Sequence, residues 1–323
     1  MEGLGLSALK GASFGVGAFG ADGALLGCCQ MKDGFVQGIC IDRAAQSEGL
    51  MAPLLGALMH RARARGIHSV QVITKPEVAA QFHALGFRRI AGAEPHSVYM
   101  EFGRGDAEAE RERFKCAAKD KPPVRGAVVL NANPFTKGHL YLIERAASQT
   151  PWIFALVVSE EASEFLAADR LKMVREGTAH LGNVSVLPAG NYVVSKRTFP
   201  AYFTHEQDLA PAQGGLDAAV FVEWVAPALG VSRRYVGTEP NNPTTKAYND
   251  ALKARLPLNG IEVIELPRMA LANEVVSATS VRDALVAGDL SRAKALVPPA
   301  TAAFFETEAG RRAIARLKGL AAP

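Results

Sequence analysis

Little in this chain of 323 residues invites a polymer or a membrane. Its 36 basic and 32 acidic residues leave a formal charge of only +4. Aromatics make up 7% of it, and nowhere does a run of Lys and Arg interleave with them as a nucleic-acid groove requires. No nucleic-acid partner is therefore expected, and small anionic ligands fit better. Cysteine is scarce too. Cys28, Cys29, Cys40 and Cys116 form neither a C-x-x-C pair nor the spacing of a disulfide framework or a zinc site, which points to a reducing, cytoplasmic compartment and to no protein-held metal. No apolar run approaches the roughly 20 residues that span a bilayer; the longest strongly apolar one near the middle is Trp152 to Val158. Gly11 to Gly27 is small and apolar, but only Lys10 stands before it as a basic lead, and Asp22-Gly23 interrupts it. Asp-Gly between apolar runs predicts a hairpin rather than a secretory leader.

What is present divides in two. The chain exceeds a typical domain of roughly 100 to 200 residues, and its 49% of apolar residues can fill two cores. Residues 1–105 read as strands at Val16 to Phe19, Leu25 to Gln30, Phe35 to Ile41, Val70 to Thr74 and Ser97 to Phe102, with helices near Leu50 to Arg65 and Pro76 to Leu85. Residues 106–125 are dominated by charge, hold Pro122-Pro123 and lack a broad apolar face, which predicts a linker. Residues 126–323 alternate strand and helix. The strands, Ala127 to Leu130, Trp152 to Val158, Val184 to Leu187, Arg234 to Gly237 and Ile261 to Leu266, are short and nearly continuous in apolar residues. Such strands are buried on both faces, hence parallel and covered by helices. The expected fold is α/β, a doubly wound parallel sheet preceded by a smaller α+β domain. Ligands of such a sheet bind at the carboxyl ends of the strands, where their order reverses.

Two loops in those positions carry phosphate chemistry. The first, Asn131-Ala132-Asn133-Pro134-Phe135-Thr136-Lys137-Gly138-His139, opens a helix. Its Gly138 permits close backbone approach, and the helix start offers unpaired amides. Thr136 and His139, three residues apart, project from one side of the first turn. Donors fixed there stabilise the charge that grows on an α-phosphoryl group under attack. Taken alone, Thr136 is equally a helix cap and His139 an ordinary histidine. The second loop, Val276-Ser277-Ala278-Thr279-Ser280-Val281-Arg282, places three hydroxyls at a helix start and a guanidinium on its first turn, a match for phosphate oxygens. It too has a bland reading, as a cap with Arg282 paired to Asp283 or Glu274. Both motifs in order, each after a parallel strand, favour the phosphate site.

These two loops resemble those of the HxGH-type nucleotidyltransferase superfamily, whose T/H-x-G-H and I-S-S-T-x-x-R loops grip the triphosphate of ATP. Within it, the longer run resembles the citrate lyase ligase family. The likeness rests on Asn131 to His139, Asp169-Arg170-Leu171, Asn191 to Ser195 and Thr198-Phe199-Pro200-x-Tyr202-Phe203. It continues through Val236-Gly237-Thr238-Glu239-Pro240 and Thr245-x-x-Tyr248-Asn249. The resemblance implies a Rossmann-like catalytic domain that uses ATP, with magnesium, to adenylate acetate, and that then acetylates a thiol on the acyl carrier subunit of citrate lyase. It implies catalytic roles for Thr136, His139 and Arg282, with nucleotide contacts at Asn133, Phe135, Gly138, Gly237, Thr238, Glu239, Ser277 and Thr279. Arg197 and Tyr202, in a segment mixing cations with aromatics, are candidates for clamping the acid's carboxylate or for ordering over the nucleotide; the same segment reads equally as a surface loop whose aromatics pack the core. The same phosphate loops would serve an adenylyltransferase acting on pantetheine phosphate or a nicotinamide nucleotide, so that reading stays open.

Residues 1–105, with Phe82 to Phe87 near their end, resemble the GCN5-related acetyltransferase fold. That family's coenzyme A loop, Q/R-x-x-G-x-G/A, stands here as Gln46-Ser47-Glu48-Gly49-Leu50-Met51. Met51 replaces the small residue and Glu48 adds a like charge beside the phosphates, so the expected role is docking of the carrier or its arm rather than acetyl transfer.

Overall fold

The computed structural model describes residues 12–159, 164–192, 209–239, 243–271 and 274–319. The first half of the chain holds β1 (Phe14–Phe19), β2 (Leu25–Lys32), β3 (Phe35–Ile41), α1 (Met51–Arg63), β4 (Ser69–Thr74), α2 (Pro76–Ala84), β5 (Arg88–Ala93), β6 (Ser97–Gly103) and α3 (Asp106–Ala118). There follow β7 (Arg125–Leu130), α4 (Lys137–Gln149), β8 (Trp152–Val157), α5 (Ala167–Gly177), β9 (Val184–Pro188), α6 (Leu209–Val220) and α7 (Ala226–Leu229). The remainder is β10 (Arg233–Gly237), α8 (Pro243–Arg255), β11 (Glu262–Leu266), β12 (Ala270–Leu271), β13 (Glu274–Val275), α9 (Ala278–Val286), α10 (Leu290–Ala295), α11 (Pro299–Phe305) and α12 (Glu308–Leu317).

These elements form two compact units, Met1–Arg113 with Val194–Trp224, and Phe114–Val193 with Val225–Pro323. The first unit is built on a six-stranded sheet in the order β1-β2-β3-β4-β6-β5. The Asp22-Gly23 hairpin joins β1 to β2, which pair antiparallel with Phe14 opposite Met31. β3 and β4 run parallel, in register only at Phe35 and Gln71. Helix α1 sends Leu54, Leu55, Leu58 and Ala62 into the core, at the three-and-four spacing that puts side chains on one face. Met51 packs against that core. Helix α6 lies across β5 and β6 and continues into a π-helical turn at Phe221–Val225. There Glu223 takes a 2.5 Å ion pair from Arg89, and the Trp224 indole donates to the carbonyl of Ile90. Residues 209–224, read from the sequence as part of the second domain, thus pack within the first unit.

The second unit is a five-stranded parallel sheet in the order β11-β10-β7-β8-β9. β8 reads Trp-Ile-Phe-Ala-Leu-Val and is buried from Ile153 onward, as expected of a strand with helices on both faces. The order reverses beside β7: its successor β8 pairs on one side and β10 on the other. The crevice outside the carboxyl ends of β7 and β10 is therefore the switch point of the sheet. Two further features were not anticipated. The linker 106–125, read as charges on a solvated helix plus tether, is mostly helix α3, and that helix buries Ala107, Phe114 and Ala118. Beyond Leu296, α11 and α12 close the core, with Phe304 and Phe305 set 6.2 and 6.1 Å from the ring of Phe165. Among the described residues no helix is long and apolar enough to cross a membrane.

Candidate functional site

The loop leaving β7 is clamped before it reaches α4. Arg170, on the first turns of α5, is fully buried. Its Nη1 donates to Asn131 O (2.7 Å), Asn131 Oδ1 (2.8 Å) and Val158 O (2.7 Å), and its Nε to Phe165 O (3.0 Å). A guanidinium in the interior demands such acceptors, and here it draws them from the exits of β7 and β8 and the approach to α5. Asn133 continues the clamp, donating to Glu164 Oε2 at 2.6 Å and accepting from the Phe165 amide at 3.3 Å. Burial raises the Glu164 pKa, but the Asn133 hydrogen bond, a backbone hydrogen bond and the Arg282 charge outweigh it and leave the carboxyl below its ordinary value. Ala132, between these anchors, holds a left-handed φ of 51°, a conformation that L residues adopt at a cost.

Thr136 then caps α4 in a reciprocal box. Its Oγ1 accepts from the His139 amide at 3.2 Å, while its own amide donates to His139 Nδ1 at 3.1 Å. The usual box uses a Glu or Gln at that position. With imidazole in its place, the pairing fixes the tautomer: an amide can only donate, so Nδ1 is the acceptor and the ring proton sits on Nε2. Burial, and then the charge of Arg268, push the His139 pKa down to about 4. Near neutral pH the ring is an uncharged donor held in one orientation. Phe135, completely buried, lies parallel to it at 6.0 Å and has no surface of its own to offer a ligand.

Gly138 joins this loop to the second. A Cβ at Gly138 would stand 2.8 Å from the carbonyl oxygen of Val276, closer than such contacts occur. The glycine expected to admit a phosphate therefore first admits the other loop. On that loop Ser277 caps α9, accepting from the Ser280 amide at 3.0 Å, with the two hydroxyls 2.8 Å apart. Arg282 reaches back to the first loop, donating from Nη1 to Asn133 O at 2.6 Å and from Nη2 to Thr279 Oγ1 at 3.2 Å. Lys137 points elsewhere, to the Ala295 carbonyl at the end of α10. The amino ends of α4 and α9, with their amides and partial positive charge, are thus fastened together beside the switch point.

The third wall is the end of β10. Gly237 O accepts from Asn249 Nδ2 at 2.9 Å, and the Thr238 amide donates to Leu266 O at 2.9 Å. Arg268, just past β11, is the residue that no motif singled out. Its amide donates to Thr238 Oγ1 (3.2 Å), its Nε to Thr238 O (2.7 Å), and its Nη2 to the buried carboxylate of Glu239. The available sequence signal was only an arginine two residues beyond a parallel strand. Arg197 and Tyr202 lie outside the described residues. The carboxylates nearest the site, Glu164 and Glu239, are each tied to a side chain, and among the described residues no group of three His, Cys, Asp or Glu is placed to hold a metal ion. The described residues therefore do not form a ready magnesium site.

A family model described as the citrate lyase ligase C-terminal domain matches residues 125–305. The citrate (pro-3S)-lyase ligase of Klebsiella pneumoniae is 39% identical over 87% of this chain and 83% of its own length. That of Escherichia coli (strain K12) is 32% identical over 88% of the chain and 82% of its own length. A phosphopantetheine adenylyltransferase of Corynebacterium glutamicum is 30% identical, but over only 33% of this chain and 64% of its own length.

Proposed function

Because the chain belongs to the citrate lyase ligase family, we propose that it is an AMP-forming acid–thiol ligase. In this reading it activates acetate with ATP and acetylates the thiol of the prosthetic group on the acyl carrier subunit of citrate lyase. The observation that carries the adenylation step is the fastening of two helix amino termini, through Gly138 and Val276, around a neutral imidazole that donates from Nε2. A carboxylate oxygen of the acid attacks the α-phosphorus. The bond from that phosphorus to the bridging oxygen breaks, and pyrophosphate leaves with the electron pair. His139 Nε2–H supports the α-phosphoryl oxygens, and Thr136 holds the ring in place. The α9 amides and Arg282 face the departing pyrophosphate, with Thr279 oriented by Arg282. Ser277 and Asn133 act through the loops that they brace, and Phe135 backs the imidazole. The carrier thiol then attacks the acyl carbon, releases AMP and forms the thioester. Magnesium is expected as the counter-ion of ATP, and no step is assigned to it.

Acid-dependent exchange of radiolabelled pyrophosphate into ATP tests the first half, and transfer of labelled acetate to the purified carrier tests the second. Exchange that ignores every short carboxylic acid but requires pantetheine phosphate or nicotinamide mononucleotide would instead establish an adenylyltransferase.

A further inference from the structure

We propose that Arg268 is a further catalytic residue, whose guanidinium binds the α-phosphoryl group from the β10 side of the crevice and stabilises its charge as pyrophosphate departs. This rests on the adenylation reading above. Three anchors hold the residue: its amide on Thr238 Oγ1, its Nε on Thr238 O and its Nη2 on Glu239. The side chain runs over Gly237, where a Cβ would lie 3.7 Å from Arg268 Cγ. Glu239 is 7% exposed at its side chain and Arg268 is 32% exposed, so the counter-ion is sunk and one edge of the fork stays open. Nη1 has no hydrogen-bond partner among the described residues. A donor fixed before the reaction stabilises developing charge without reorganising.

Two further observations place that edge. The charge of Arg268 reaches the His139 ring, where it is the second cause, after burial, of the lowered pKa. Both residues stand past the carboxyl ends of strands of the one parallel sheet, His139 after β7 and Arg268 after β11. Arg282, the cation that the motif favours, already spends Nη1 on Asn133 O and Nη2 on Thr279. The proposal also recasts Thr238 and Glu239. Expected to contact the nucleotide, they position a cation. Arg268 exchanges no proton in the step; it binds oxygens whose charge increases as the bond to the leaving group lengthens.

The test uses the full chain carrying R268A, R268K or E239Q, with exchange kinetics, ATP calorimetry, thermal melting and the NMR titration of His139. R268A is expected to lower kcat for exchange about 10²-fold or more, beyond what the loss of the Glu239 partner costs in melting, and added guanidinium is expected to restore part of the rate to R268A but not to R282A. R268K, which keeps charge without the planar fork, should fall between the two and decides the matter should R268A fail to fold. In R268A, which removes the charge, the imidazole of His139 should titrate at a higher pH than in wild type. A turnover within threefold of wild type in both Arg268 variants, or an unmoved imidazole titration in R268A, overturns the proposal. Wild type that shows no acid-dependent exchange overturns the adenylation reading instead. Arg268 is then judged by whether R268A weakens ATP binding at least tenfold.

Discussion

His139 is neutral and oriented near neutral pH, and both properties come from Thr136 and its surroundings rather than from the imidazole itself. Replacing it with Ala is expected to lower exchange turnover by roughly 10² to 10³, measured as kcat at saturating ATP. Its titration also bears on stability. The folded-state pKa of about 4 lies below the model value of 6.5, so the unfolded chain binds the proton more readily. The contribution of this group is present above the unfolded value and is lost as pH falls through the interval. Melting temperature should therefore drop between neutral pH and pH near 4 more steeply for wild type than for H139N. Equal slopes would contradict the assignment. Thr136 and His139 were legible in the sequence because a helix turn fixes their spacing. Arg268 was not, because its meaning depends on β10 and β11 lying in register, Gly237 beside Leu266, which no local pattern encodes.

At the scale of elements, the site is two helix starts locked back to back. G138A should force the Val276 backbone away from α4, costing on the order of 1–3 kcal/mol in denaturant unfolding and depressing turnover beyond that loss. S277A separates capping from phosphate binding. The expected result is a loss of about 1 kcal/mol, the usual cost of removing a Ser cap, with the KM for ATP changed far less than in R282A. A larger KM effect in S277A would return its hydroxyl to the phosphates. Strand and helix order in the second half was readable from apolar runs and their punctuation. The closing helices α11 and α12 were not. Pro298-Pro299 looks like a terminator, whereas Pro299 is the first residue of α11, a position where proline suits a helix. The charge of α3 likewise hid Ala107, Phe114 and Ala118, which are too widely spaced among polar residues to read as a face.

For the molecule as a whole, each unit is made of two stretches of chain. The segment that carries α6 leaves the parallel sheet after β9 and belongs with the first unit, and the sheet resumes with β10. A polypeptide ending at Arg113 should therefore be poorly soluble or loosely packed, because the face of β5 and β6 that α6 covers is left bare. Soluble yield and near-ultraviolet circular dichroism would show this, and a sharply melting 1–113 fragment would refute it. The sequence read the border near 105 because composition changes there. It missed the return of 194–224, because an apolar helix carries no mark of which sheet it covers.

That interleaving has a consequence during synthesis. As the ribosome moves from the amino end, the first unit cannot be finished when its sixth strand emerges. It waits for Trp224, while β7, β8 and β9 are already out and β7 lacks its partner β10. Both half-built bodies are exposed together for the time needed to translate the intervening stretch. A nascent chain stalled shortly after β9 should therefore be a good client for chaperones, and a pause site placed there should lower the yield of native protein.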